Sequence, residues 1–500
     1  MLNRKIYFAD IAYWILLVLF SFLILRYQIR LLDYFEWSDE SETIVAAKMM
    51  AAGDSLYSQI FNIHGPLVFL PGMLLEKLSH FQIRGHRVFI LILQWAAFAA
   101  IYFSPVMKNR MVKLLYSVFS ASIMLIYFSE IFGHTYIYQV IAGLILLIIL
   151  SQYAIPIIFS PEQVGKKRIA LGNILLASLP FLAMTYIPAA ILIWLGCIRR
   201  EYLAKTFFYS LMGFLFNLIF LIFFGSIAGY FALHIYLNLN VISQYTPDRL
   251  SGWQFMTAFF YGASSDLLRF NIFCISTIAL ATLATNEKKL PWRVILLWLG
   301  FFSLLIRGSG FQGLPFLYAS LALPTVFFRE IKTLQSKSVI LLCPLTIFFF
   351  IKLSLLLPMD KIRLNSKKIP ENTEYALLVK KLTNQDDRII AYSFQNHQYI
   401  FADRLPASGN YFYFPWQEEY NNNPRYGIKL DACQEIKSNK PKLMLIDKMN
   451  VNSEYPWESY AQCIQKIIDR DYSQLQGKHY YIRNDLVTSD LAIEVKSGDK

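Results

Sequence analysis

Residues 34–87 read YFEWSDESETIVAAKMMAAGDSLYSQIFNIHGPLVFLPGMLLEKLSHFQIRGHR. The stretch is too apolar for a solvated loop and too interrupted for a membrane span. Ile44–Ala52 predicts a short helix on the membrane face, stopped at Gly53. HGPLVFLPGMLLEKL predicts a second surface helix with Pro near its start. Asp39, Glu40 and Glu42 stand at the head of the first helix. Asp39 is a good N-cap, and Glu42 three residues later completes a capping-box pattern. That reading leaves Glu40 unexplained, a second acid at a membrane surface where uncompensated charge is costly. A capped carboxylate is also a fixed one, so capping and chemistry are compatible.

Outward from this stretch, apolar blocks of about 15–25 residues recur with almost no charge inside them, the length that crosses a hydrocarbon core of about 30 Å. Hydrophobic residues make up 56% of the chain and charged residues only 16%, against roughly 25% charged in a soluble protein. The net charge of +13 sits in short Lys/Arg clusters between apolar runs, as topology determinants do. No nucleic-acid signature accompanies it, so nucleic acid is not an expected partner. The N-terminus reads as an uncleaved first span, since no small-residue cleavage site follows its long apolar part.

With Arg4 and Lys5 inside, the spans fall at about 11–32, 87–105, 114–131 and 135–155, two short ones in 169–198 broken by Pro180 and Pro188, and one from about 206. An eighth returns to Lys288 and Lys289, and three more cover about 293–306, 313–328 and 338–357. Lys108, Arg110 and Lys113, then Lys166, Lys167 and Arg168, then Arg199, Arg200 and Lys205, then Arg329, Lys332 and Lys337 all fall on the inside. The positive-inside rule is met along the chain. The expected fold is a polytopic α-helical membrane protein of about 11 transmembrane helices over 1–358, with the first outside loop at 34–86.

After Pro358 the composition changes. A charged linker and an amphipathic helix around Glu374–Leu382 lead into alternating segments: RIIAYSF as strand, DACQEIKS as helix, PKLMLID as strand, SYAQCIQKIIDRDY as helix and HYYIRNDL as strand. This predicts a small α/β domain over 359–500, outside by parity. Cys433 and Cys463 are its two cysteines; an oxidising compartment permits a bridge between them, and the alternative is two unpaired helix thiols. GNYFYFPW either stacks on a glycan or packs the domain down.

The first loop resembles the polyprenyl-phosphate-dependent glycosyltransferases of the GT-C fold, which include protein O-mannosyltransferases and lipid A aminoarabinose transferases. The residues that carry the resemblance are Asp39-Glu40, Gly53, Leu56-Tyr57, His64-Gly65-Pro66-Leu67 and Arg87, in that order. RGSGFQGLPFLYASLALP near span ten is also similar, but Gln312-Gly313 stands where the family carries His-Tyr. The resemblance implies transfer of a sugar from a polyprenyl-phosphate donor to a glycan, lipid or protein acceptor at the outer face of a bacterial plasma membrane, with inversion in one displacement. Asp39 would be the general base and Glu40 would orient acceptor or base. His64, Arg84, Arg87 and Arg307 are the candidate phosphate partners, with Glu130 and His134 lining the same cavity.

Each assignment has a plainer counterpart. Arg84 and Arg87 suit interfacial snorkelling, Arg307 anchors a span end, and Glu130 and His134 sit at a hairpin tip. Lys48 in the first helix is expected to face lipid headgroups. No Cys/His metal spacing, phosphate-binding glycine loop or nucleophile elbow occurs, so no cofactor is expected and a divalent metal has no support. Two other readings compete. A lipid-linked glycan transporter would show internal repeats and mid-membrane charges, and neither is evident. A non-catalytic envelope assembly protein keeps the fold without turnover.

Overall fold

The computed structural model describes residues 2–245, 292–305, 310–329, 347, 367–394, 396–475 and 477–487. The expected eighth span, nearly all of the eleventh, and Arg307 lie outside the described residues. The chain is mostly helical and opens with α1 (Leu2–Leu31), α2 (Ser38–Ala51), α3 (Phe69–Leu78) and α4 (Ile83–Tyr102). It divides into two compact units, one of Met1–Phe35, Arg87–Phe216 and Leu250–Ile369, the other of Glu36–His86, Asn217–Arg249 and Pro370–Lys500.

Among the described residues, four helical stretches are long and apolar enough to cross a membrane: Asp10–Leu31, Ile83–Tyr102, Tyr138–Phe159 and Arg200–Phe224. Shorter apolar helices cover Met184–Cys197, Trp292–Ser303 and Leu314–Phe328. The block at 169–198 breaks where its prolines predict. Helix Lys166–Ser178 gives way to 3₁₀ turns at Leu179–Phe181 and Met184–Tyr186, and a new helix runs Ile187–Cys197. Pro180 and Pro188 each sit in the first turn of a new segment, where the missing N–H costs nothing. In the first unit, Trp14, Val18 and Phe22 of α1 and Phe207, Phe208 and Phe214 all point outward. Apolar faces this extensive suit a lipid solvent.

Two helices of the first unit meet in a close approach. Helix Tyr138–Ile149 packs on helix Leu314–Ser320, and the Tyr318 hydroxyl donates to the Gly133 carbonyl at 2.7 Å. A Cβ at Gly143 would overlap the Tyr318 ring near its root, so only glycine allows this contact. Gly143→Ala is therefore expected to destabilise the protein by about 1–2 kcal/mol. A lower thermal midpoint in detergent checks this; an unchanged midpoint would mean the two helices do not meet here.

The second unit joins the first loop, residues 217–249 and the C-terminal residues. Its sheet has the order β1-β2-β4-β3, with β1 (Ile390–Tyr392) parallel to β2 (Leu443–Ile446) and antiparallel pairs between β2 and β4 (Tyr480–Arg483) and between β4 and β3 (Tyr472–Gln474). Every residue of β1 and β2 is buried, which explains why they read as unbroken apolar runs. Helices Glu374–Leu382, Ala432–Asn439 and Gln462–Asp471 complete the layer. Cys433 and Cys463 are bridged, with their Cα atoms 6.2 Å apart, tying the last two helices together. The segment GNYFYFPW lies inside the unit: Tyr411, Phe412 and Tyr413 are buried, and the Gly409 carbonyl accepts from Phe61 N at 3.0 Å.

Candidate functional site

The acids at the head of the first loop are placed by α2. This helix starts at Ser38 with Trp37 in the N-cap position and no side-chain cap, so Asp39 and Glu40 lie in its first turn. The expected capping box is thus corrected. Tertiary packing explains the shift: the Trp37 ring meets Phe394 edge-on at 5.9 Å and fixes where the chain enters the helix. The nearby hydroxyls also turn back onto carbonyls, Thr43 Oγ1 to Asp39 O at 2.7 Å and Ser41 Oγ to Ser38 O at 3.0 Å. Glu40 is fully buried while Asp39 is half-buried. The helix ends as expected at Gly53, whose φ of 110° few other residues adopt.

Glu42 lies three residues past Asp39 and so on the same face of α2. Its carboxylate accepts from Asn62 Nδ2 at 3.0 Å, and the same amide reaches the Tyr411 hydroxyl at 2.6 Å. His64 Nε2 stands 3.6 Å from Glu42 Oε1. The His64 backbone is fixed at both ends: its N–H donates to Asn62 Oδ1 at 2.8 Å, and its carbonyl accepts from the Tyr57 hydroxyl. The π-helical segment Tyr230–Ile242 holds the adjacent Ile63 carbonyl through His234 Nδ1 at 2.8 Å and Asn238 Nδ2 at 2.9 Å. The structure thus brings Glu42 and His64 into one network with Asn62 and Tyr411, and Asp39 lies on the same face of α2 as Glu42. Sequence reasoning missed Asn62 and Tyr411 and saw Glu42 only as a capping partner.

Burial holds the Glu42 carboxyl well above the usual carboxylate range; the Asp39 charge adds to this, and the Asn62 hydrogen bond offsets part of it. A folded-state pKa above the unfolded value gives stability that is fully present below the unfolded pKa and lost as pH rises through the folded one. Glu42→Gln should therefore flatten the loss of thermal stability from acidic to alkaline pH. A pH series of melting curves for both proteins checks this, and parallel curves would count against a buried neutral Glu42.

Lys48 is not directed at headgroups. It is buried in α2, with Nζ 3.1 Å from Asp403 Oδ1 and 3.4 Å from Glu76 Oε2. His86 Nε2 stands 3.2 Å from the other oxygen of Glu76. A buried ammonium needs carboxylate partners, and the partner that turns Lys48 inward lies in the C-terminal residues. Among these same residues, the first loop gains a second tie in His397, whose Nδ1 stands 2.5 Å from Glu36 Oε2.

In the first unit, Arg87 and His134 come together. The buried Arg87 guanidinium donates to the carbonyls of Leu31, Leu32 and Tyr34 through Nη1 and of Phe35 through Nη2. His134 Nε2 meets the Tyr34 carbonyl at 2.8 Å. Burial, with Arg87 close by, pushes the His134 imidazole down to about 3, so it is neutral. Both side chains serve the orphan carbonyls at the end of α1. Glu130 is exposed on the 3₁₀ turn Phe128–Ile131, and Arg84 is exposed in the first turn of α4. Gln312, where the family pattern has His-Tyr, accepts from Gln139 Nε2 and the Tyr138 hydroxyl, each at 3.3 Å.

No metal-binding group of three or more His, Cys, Asp or Glu occurs among the described residues. No family model matches the chain, and none of the curated proteins does. Among solved structures there is one to which it is similar in fold, and the chain has a GT-C-like fold. The structure in question is the crystal structure of ArnT from Cupriavidus metallidurans bound to undecaprenyl phosphate. It matches over 94% of this chain and 97% of that one, with a TM-score of 0.58 at 10% identity. Together with the apolar helices, this makes the chain an integral membrane protein.

Proposed function

We propose that this protein is a membrane glycosyltransferase that moves a sugar from a polyprenyl-phosphate donor to an acceptor at the extracytoplasmic face. The observation that carries this is the GT-C-like fold along 94% of the chain, shared with a structure that holds undecaprenyl phosphate. The Asp39-Glu40 pair in the first turn of α2 supplies the chemistry. The bridge between Cys433 and Cys463 supports an oxidising, extracytoplasmic location for the unit that also carries Asp39.

Transfer proceeds by one inverting displacement. Asp39 takes the proton of the acceptor hydroxyl as its oxygen attacks the anomeric carbon, and the bond from that carbon to the phosphate oxygen breaks. The positive end of the α2 dipole favours a negative carboxylate there. Glu40, buried beside Asp39 in the same turn, orients the base. We read Arg87 and His134 as positioning residues for the chain leaving α1, because their donors already serve its carbonyls. Arg84 is kept as a candidate partner of the donor phosphate.

The test is sugar incorporation in membranes supplied with a panel of polyprenyl-phosphate sugars. Transfer from at least one donor is expected. Failure with every donor, at verified expression, would move the weight to the transporter and assembly readings.

A further inference from the structure

We propose that the first unit binds an anionic phospholipid at its cytoplasmic face, with an acyl chain in a groove between α1, α4 and helix Arg110–Ile126 and the phosphate at Arg110. Such binding needs only the membrane location, not the glycosyltransferase reading above. On α1, Tyr13, Leu17, Phe20 and Ile24 follow at spacings of three and four and so share one face. They line a cavity of about 420 Å³. Small residues leave that space open: Ser21, Ala99, Ser117 and Ala121 stand where longer side chains would fill it.

The dimensions suit one lipid chain. Tyr13 and Ile24 lie about 16 Å apart along α1, one leaflet's depth in a hydrocarbon core about 30 Å thick. Trp14 and Phe103, which also line the groove, are exposed, so it opens sideways onto lipid. Ser117 is 8% exposed, and its Oγ has no hydrogen-bond partner among the described residues. A hydroxyl in such surroundings costs free energy until it finds an acceptor. The ester carbonyl of a phospholipid is one.

The charge lies at the Tyr13 end. Lys108, Arg110 and Lys113 form a basic cluster that the positive-inside rule assigns to the cytoplasm. The Arg110 guanidinium lies over the Tyr13 ring, 4.5 Å from its centroid, and donates through Nη2 to Asp10. Both side chains of this pair are about half exposed, and Nε and Nη1 of Arg110 remain to meet a phosphate oxygen. The Tyr13 and Tyr102 hydroxyls bond to each other at the same level, and with Trp14 they make the aromatic set typical of a membrane interface. Basic residues beside a cleft between membrane helices on the cytoplasmic side favour anionic head groups.

The experiment reads the fluorescence of Trp14 and Trp95, both of which line the groove. The full chain is placed in phosphatidylcholine vesicles that carry a small fixed fraction of lipid brominated in its acyl chains. Brominated phosphatidylglycerol is expected to quench more than brominated phosphatidylcholine, and the excess should vanish when Trp14→Phe and Trp95→Phe are combined. Arg110→Gln should reduce this preference about 5-fold, the effect of one basic residue near an anionic surface. Asp10→Asn should raise it, because Arg110 stays charged and loses its competing carboxylate. Ala99→Phe fills the groove from an exposed position and should abolish the excess with no loss of folded protein. Equal quenching by the two lipids, as a neutral lipid or a second copy of the chain in the groove would give, overturns the proposal. So does a fall in preference in both charge variants, which would make Asp10 and Arg110 a purely structural pair.

Discussion

Asp39→Asn is expected to reduce sugar transfer by about 10²–10⁴-fold, the contribution typical of a general base, with no loss of folded protein. The separation of the two effects follows from the geometry. Asp39 is half-buried inside the first turn of α2 and is not its cap. The bond that Thr43 makes here goes to the Asp39 backbone carbonyl, which Asn retains. An amide of the same shape therefore keeps the helix and loses the proton acceptor. The substitution also removes the charge that helps to hold Glu42 neutral, so the pH dependence of stability should shrink in parallel. Incorporation assays at matched expression, with melting curves alongside, test both. Full activity in the variant would place the base elsewhere. Glu40→Gln is the less informative change, because Glu40 is fully buried and a fall in activity there would mix chemistry with folding.

The sequence was most legible where the signal was local or repetitive. Prolines 180 and 188 marked the break between two helices. The apolar runs at β1 and β2 and the amphipathic stretch at Glu374–Leu382 marked their own elements. The ordered set around Asp39-Glu40 and Gly53 pointed to a GT-C-like fold that similarity to ArnT supports at only 10% identity. Strand β3, three residues long, was hidden because Tyr472 continues the helical pattern that ends at Asp471. The failures at the site have one cause. Lys48 reads as a headgroup ligand until Asp403 is placed beside it, 355 residues away in sequence, and Asn62 reads as an ordinary loop residue until Tyr411 arrives from 349 residues away. Likewise the capping box is a sound local pattern, overridden because Trp37 packs on Phe394. Local grammar carries no information about partners that only the fold assembles.

Gly409→Ala should be the most damaging change outside the acids, costing about 3 kcal/mol and lowering transfer by roughly 10²-fold. A Cβ on residue 409 would be driven onto the backbone carbonyl of Gln59, and a backbone atom has no alternative rotamer to adopt. The two segments run side by side there, since Phe61 N–H donates to the Gly409 carbonyl at 3.0 Å, while Gly409 N–H is held by Glu435 at 2.9 Å. Relief has two routes. The C-terminal segment can withdraw and carry Tyr411 away from Asn62, or the loop can move and carry Asn62 away from Glu42 and His64. Either route disturbs the same network, so stability and turnover should fall together. Gly427→Ala is the control: Gly427 has a positive φ of 71° but nothing within 4 Å of the added carbon, so it should cost stability through backbone strain alone and leave transfer intact. Limited proteolysis and incorporation, run on both variants, separate the cases. Normal transfer by Gly409→Ala would mean that the C-terminal residues stabilise the loop without helping to shape the site.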